Sequence, residues 1–162
     1  FSQKASLLLK AQLEGVTSLR PVGDDFRWYI RLRCLNCGDE TPELVYVCLD
    51  EEHEIHGSRG TAHLVIKCKL CHRENTLSIL PDSIASYDLD DSNKFKSIVV
   101  FDCRGVEPTE WSPRIGWACA GAETGTQFPE VNLTELDWSD FDEKAKASVG
   151  VYEVEYKFTH TK

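Results

Sequence analysis

Cys34 and Cys37 are separated by two residues in RLRCLNCGDE, and Cys68 and Cys71 repeat that spacing in IKCKLCHREN. No other feature restricts the fold as much. The four thiols either meet at one point or remain two independent pairs. A C-x-x-C turn can aim both sulfurs at one point, and two such turns complete a tetrahedral four-thiolate site with no position open to water or substrate. Gly38 follows the first pair, where a tight turn calls for positive φ or close backbone approach. His72 stands at the same place after the second pair and fits less well.

The thirty residues between the pairs hold an apolar run, LVYVCLD, and turn signals, enough to bring the ends together as in a zinc ribbon. A thioredoxin-like redox motif opens a helix within a βαβ unit. Here each pair follows an alternating, strand-like run instead. An iron–sulfur centre and a disulfide framework are the other readings of the cysteines. Seven cysteines in 162 residues is an odd number in a chain large enough to fold without disulfides. The expectation is one structural Zn²⁺ on Cys34, Cys37, Cys68 and Cys71, with neighbouring Arg31, Arg33, Lys67, Lys69 and Arg73 offsetting the charge of the thiolates.

Period-two alternation dominates the rest of the chain. Leu7, Leu9, Ala11 and Leu13 share one face, as do Trp28, Ile30, Leu32 and Cys34, and Tyr152, Val154, Tyr156 and Phe158. Short alternating runs broken by HGSRG, PDS and CAGAETG indicate antiparallel strands. Only DWSDFDEKAKAS suggests a helical turn.

An internal repeat organises these runs. LKAQLEGV and VVFDCRGV align at an offset of 90, as do GTAHLVIKC and GVYEVEYKF, so that Gly15 pairs with Gly105 and Gly60 with Gly150. The expected fold is mainly β, an antiparallel β-sandwich built from two related halves with approximate internal two-fold symmetry. Residues 1–81 form the zinc-binding half, 82–94 a polar linker and 95–162 a metal-free acidic half, together one compact unit. In that register Cys34 and Cys37 fall on Thr124 and Gln127, and Cys68 and Cys71 on Phe158 and Thr161, so the second half has no ligands.

The net charge of −9 argues against nonspecific binding to nucleic acid or anionic membrane, and RNA binding through the basic residues beside the cysteines is the weaker reading. No apolar run reaches the length of a membrane span, and no basic-then-apolar leader is visible. A cytoplasmic, soluble monomer is expected, with an unidentified protein as partner and no membrane. Cys48, Cys103 and Cys119 lie on apolar runs and read as inert buried thiols. His53 and His56 are three apart, not the four of H-E-x-x-H, and no nucleophile–base pair or phosphate loop is present. The chain therefore reads as a non-enzymatic adaptor or ligand-binding module. A metal-handling protein, or an enzyme with a cavity near the zinc half, is the alternative.

The segments LRPVGDDFRWYIRLRCLNCG, GSRGTAHLVIKCKLCHREN, FKSIVVFDCRGVEP and DWSDFDEKAKASVGVYEV together resemble the eukaryotic CXXC-motif-containing zinc-binding protein family over nearly the whole chain. The resemblance implies a β-sandwich of two related halves with one zinc in the N-terminal half, held by residues that match Cys34, Cys37, Cys68 and Cys71. It also implies an intracellular location, with mitochondrial or nuclear association left open, and no established catalytic activity.

Overall fold

The computed structural model describes residues 2–161. Its strands are β1 (Gln3–Glu14), β2 (Val16–Pro21), β3 (Trp28–Cys34), β4 (Val45–Val47), β5 (His53–Glu54), β6 (Thr61–Ala62) and β7 (Leu64–Lys67). They continue as β8 (Glu74–Ile79), β9 (Lys96–Arg104), β10 (Val106–Ser112), β11 (Trp117–Gly121), β12 (Gln127–Val131), β13 (Trp138–Asp142) and β14 (Ala147–Thr161). The fold is mainly β, and the pairings between these strands are antiparallel. The alternating runs bury the faces their periodicity marked. Leu7, Leu9 and Ile30 are fully buried and Val154 is buried, while Glu153, Glu155 and Lys157 face solvent. In β14 the alternation breaks at Glu153, whose φ is 53°, so that Val151 is buried and Tyr152 only partly.

Six strands form one sheet in the order β13-β14-β1-β9-β8-β7; two three-stranded sheets run β10-β3-β4 and β12-β11-β2, and β5-β6 is a separate hairpin. Gly15 and Gly105 make the step from the large sheet to a small one. Each has positive φ, +68° and +81°, between consecutive strands. A Cβ on Gly15 would stand 2.7 Å from Val149 Cγ1, and one on Gly105 would collide with Asn75 Oδ1, so both turns need glycine for space as well as dihedral. The aromatic centre lies where the small sheets meet the large one. Phe26 packs edge-on against Trp28 at 4.7 Å and Trp117 at 5.1 Å, and Trp28 against Phe101 at 6.1 Å.

The strands of the chain's two ends are interleaved. β10 pairs with β3, and β2 with β11, while β1 and β9 lie side by side in the large sheet. Between them, residues 82–94 are packed against the core rather than tethered loosely. Tyr87 is fully buried; its hydroxyl accepts from the Ala11 amide at 3.2 Å and donates toward the Lys94 carbonyl at 2.7 Å. The helical turn expected in DWSDFDEKAKAS is absent. Trp138 to Asp142 pair residue for residue with Val151 to Ala147, and a tight turn with Lys146 at φ 52° joins the two strands. The sheet's cross-strand bonds outweigh the weak local helical preference of so short a segment.

Candidate metal centre

The two cysteine pairs fold into the same turn. Cys34 ends β3; its N–H donates to the Asp39 carbonyl and its own carbonyl accepts from the Gly38 N–H, both at 2.8 Å. Cys68 follows β7; its N–H donates to the Arg73 carbonyl at 2.9 Å and its carbonyl accepts from the His72 N–H at 2.8 Å. The residue after the second cysteine has positive φ in each, Gly38 at 83° and His72 at 63°. The second turn therefore adopts the same geometry with a residue that resists it. Because β3 belongs to a small sheet and β7 to the edge of the large one, the cysteines tie two layers together.

The four sulfurs all lie within 4.8 Å of one another. Cys34 Sγ is 3.7 Å from Cys71 Sγ, and Cys37 Sγ is 3.5 Å from Cys68 Sγ. A tetrahedron with metal–sulfur bonds of 2.3 Å has sulfur–sulfur edges of about 3.8 Å, so the cluster could hold one metal ion with little adjustment. Cys34 and Cys68 are buried, Cys71 is partly covered and Cys37 is exposed. Asn75, almost wholly buried behind the site, donates from Nδ2 to Cys34 Sγ at 3.6 Å.

Proton affinity is divided unevenly among the thiols. Hydrogen bonds from the Asn36 side chain and the Arg73 amide draw Cys71 down to about 6. At Cys37 the Asp39 amide favours the thiolate, but burial and the neighbouring sulfurs outweigh it and push the thiol up to about 12. Four sulfurs this close cannot all carry charge unless a cation joins them. The expected basic ring is thinner than the sequence implied. Arg31 Nε pairs with Glu110 at 2.7 Å, and Arg33 pairs with Glu107. Arg73 instead bridges the two turns by donating to Asn36 Oδ1 at 3.3 Å.

The other cysteines are not at this site. Burial pushes Cys103 and Cys119 up to about 12. Cys48 also rises to about 12, through burial and then the carboxylates of Asp50 and Glu51, to which its thiol donates at 3.0 and 3.1 Å. His56 Nδ1 meets Glu74 Oε2 at 2.6 Å, while His53 lies in the small hairpin, whose turn is closed by the Ile55 N–H donating to the Gly60 carbonyl at 3.2 Å.

Sequence reading misplaced the counterpart of these turns near the other end of the chain. The Gly121 N–H donates to the Thr126 carbonyl at 2.7 Å, and the Gly125 N–H to the Gly121 carbonyl at 3.0 Å, with Gly125 at φ 71°. This is the Cys34 turn bond for bond, with Gly121 for Cys34, Thr124 for Cys37 and Gly125 for Gly38. The match extends outward: Leu35 donates to the Gly105 carbonyl and Ala122 to the Gly15 carbonyl, both at 2.9 Å. The strand pairs Leu64↔Leu77 and Ile66↔Asn75 recur as Trp138↔Val151 and Asp140↔Val149, which puts Asp142 in the place of Cys68 and Ala145 in that of Cys71. The offset of 90 at Gly15 thus falls to 87 at Cys34 and to 74 at Cys68, because connecting segments differ in length and the first has the β5-β6 hairpin.

What closes the second pair of turns is a carboxylate. Asp142 is 1% exposed. It accepts from Thr124 Oγ1 at 2.5 Å, Thr126 Oγ1 at 2.8 Å, the Lys144 amide at 3.0 Å and the Ala145 amide at 3.3 Å. The Thr124 hydroxyl leads the causes that lower its pKa. The sequence signal was available in the shared G and PE of CGDETPEL and TGTQFPEV, hidden by the change of offset.

Comparison with known proteins gives one consistent answer. The family described as "CXXC motif containing zinc binding protein, eukaryotic" matches residues 6–159. A UPF0587 protein of Nematostella vectensis is 56% identical over 96% of this chain and 97% of its own length. A CXXC motif containing zinc binding protein of Bos taurus is 52% identical over 96% and 97%. The crystal structure of C1orf123 superposes with a TM-score of 0.93 at 49% identity, covering 96% of this chain and 98% of that one.

Proposed function

Because the chain belongs to the family of eukaryotic CXXC motif containing zinc binding proteins, we propose that Cys34, Cys37, Cys68 and Cys71 hold one structural zinc ion in a non-enzymatic adaptor or ligand-binding module. The observation that carries this reading is the sulfur geometry. Two turns from different sheets bring four thiols to the edge lengths of a zinc–thiolate tetrahedron. All four positions are then filled by protein, which suits a brace and leaves no vacancy for a substrate. Zinc would hold the four thiolates and supply charge neutralisation there. The surrounding chain contributes the amides that orient each sulfur and Asn75 behind Cys34.

The fold fits a sandwich of two related halves, in which the six-stranded sheet faces the two smaller ones. Exchanging β1 with β9, β14 with β8 and β13 with β7 leaves the order of the large sheet unchanged, and the same exchange turns β10-β3-β4 into β2-β11-β12. On this reading the halves, 1–81 and 95–162, arose by duplication and kept one metal site between them. An unidentified protein partner, a monomeric state and a cytoplasmic location belong to the same reading, with no role for nucleic acid. Among the described residues no helix is long and apolar enough to cross a membrane.

The test is metal content with substitution. Purified chain should carry one zinc, and Cys34→Ser or Cys68→Ser should lose it together with thermal stability. A quadruple serine variant that melts like the parent would remove the structural role. Binding to RNA that falls steeply with salt would replace the adaptor by the nucleic-acid reading.

A further inference from the structure

Beside the metal centre lies a cavity of about 260 Å³, bounded on one side by Asp39 to Val45 and on the other by Ile66 to Lys69. Its apolar wall includes Leu32, Leu44, Val45, Ile66 and Val106. Leu44, Val45 and Ile66 are only partly buried, in contrast to the filled core. Cys34 and Cys68 also line it. The two walls are therefore the segments that leave and enter the two cysteine turns.

The other end of the fold shows what chemistry such a space takes. Thr41 donates its N–H to the Leu32 carbonyl at 2.9 Å, at the place where Phe128 pairs with Cys119. Leu64 stands where Trp138 does. There Phe128 is buried and packs edge-on against Trp138 with ring centroids 5.4 Å apart. Thr41, which lines the cavity, is smaller than Phe128, and Leu64 is smaller than Trp138. β7 ends the large sheet, so among the described residues the edge of β7 away from β8 has no hydrogen-bonded partner strand; Ile66 and Lys67 of β7 line the cavity. An open edge next to an apolar pocket is the combination used to bind an extended chain, the edge pairing with backbone and the pocket taking one side chain.

We propose that this cavity receives an aromatic side chain from an extended segment of a partner protein, which adds alongside β7. The proposal deepens the adaptor reading and rests on it. Cys34 and Cys68 line both the metal centre and the cavity, so a zinc ion held there would fix the distance between the cavity's walls. The segment's ring stands in for the Phe128 that this end of the fold lacks. Free aromatic molecules offer the same ring without the backbone, so the two sources separate by affinity.

The experiment uses zinc-loaded full chain and two probes, N-acetyl-phenylalaninamide and the tripeptide acetyl-Val-Phe-Val-amide, followed by amide NMR. The amino-acid amide should saturate with a dissociation constant of about 1 mM. The tripeptide should bind at least about tenfold tighter, and the largest shifts should fall on Val45, Ile66 and Lys67. Thr41→Phe, which supplies the ring in cis, should retain zinc and weaken both probes by about tenfold or more. Absence of saturation up to about 10 mM, or shifts centred elsewhere, overturns the pocket. A tripeptide that binds no tighter than the amide overturns the extended segment. Self-association abolished by Thr41→Phe would replace the foreign segment with a second copy. The wild-type shift map stands without any variant. Zinc content is measured on the same sample, so loss of the metal is distinguished from failure of the pocket.

Discussion

Thr124 donates a 2.5 Å hydrogen bond to the carboxylate of Asp142 across a second pair of turns, whose Gly121–Thr126 member has the backbone hydrogen bonds of the Cys34 turn; the cysteine turns bring Cys37 Sγ and Cys68 Sγ to 3.5 Å. One chain thus closes two corners, each built from a pair of turns, by different chemistry. A buried carboxylate with four donors holds a corner without metal, because each donor offsets part of the cost of removing the charge from water.

Asp142→Asn should lower the melting temperature by about 5 °C or more at neutral pH, since two of its donors are hydroxyls that Asn accepts less strongly. The folded pKa of Asp142 lies below its ordinary 3.8. Its contribution is therefore complete above pH 3.8 and is lost as pH falls through the lowered value. Melting curves of the two proteins should differ most near neutrality and converge in acid. A difference that grows on acidification would contradict this assignment.

Metal removal should act on the whole molecule. β3, which ends at Cys34, pairs with β10, and β2 pairs with β11, so the regions on either side of residues 82–94 share their hydrogen bonds. Chelation should lower a single calorimetric transition. Two separate transitions, one of them at the parent's temperature, would show that the halves unfold independently.

Gly105→Ala should cost about 2 kcal/mol or more, combining the left-handed backbone with a collision against Asn75, and should also weaken metal retention through the Asn75–Cys34 contact. Gly38→Ala meets nothing within 4 Å and should cost only about 1 kcal/mol for its positive φ. Equal losses in denaturant titrations would mean that the backbone, not the contact, decides both.

Tyr87→Phe should cost about 1–3 kcal/mol, because it strands the Ala11 amide in the core and removes the donor to the Lys94 carbonyl. Unchanged stability by chemical denaturation would refute the view that 82–94 is an integral part of the fold.

Some of this was legible in the sequence for physical reasons that act locally. Alternation at Leu7, Leu9, Ala11 and Leu13 marks a strand face wherever the strand sits, and C-x-x-C marks a thiol turn whatever surrounds it. The match between Gly15 and Gly105 was visible because only glycine tolerates those turns. The corner at Asp142 was not visible. Its alignment with Cys68 passes through connections of unequal length, and hydrogen bonds from Thr124 and Thr126 leave no spacing pattern. The cavity beside Thr41 was equally silent, since an absent side chain is recognised only against the Phe128 that fills the same place elsewhere.

The sequence by itself determined that the chain is mainly β and that Cys34, Cys37, Cys68 and Cys71 form two C-x-x-C turns, because backbone period and turn chemistry are properties of neighbouring residues. Only the tertiary structure decided that the two turns meet, that strands from the two ends interleave, and that Asp142 closes the other corner. Those outcomes depend on which sheet edges pair and on what space is left between layers, and both are set by contacts between residues far apart in the chain.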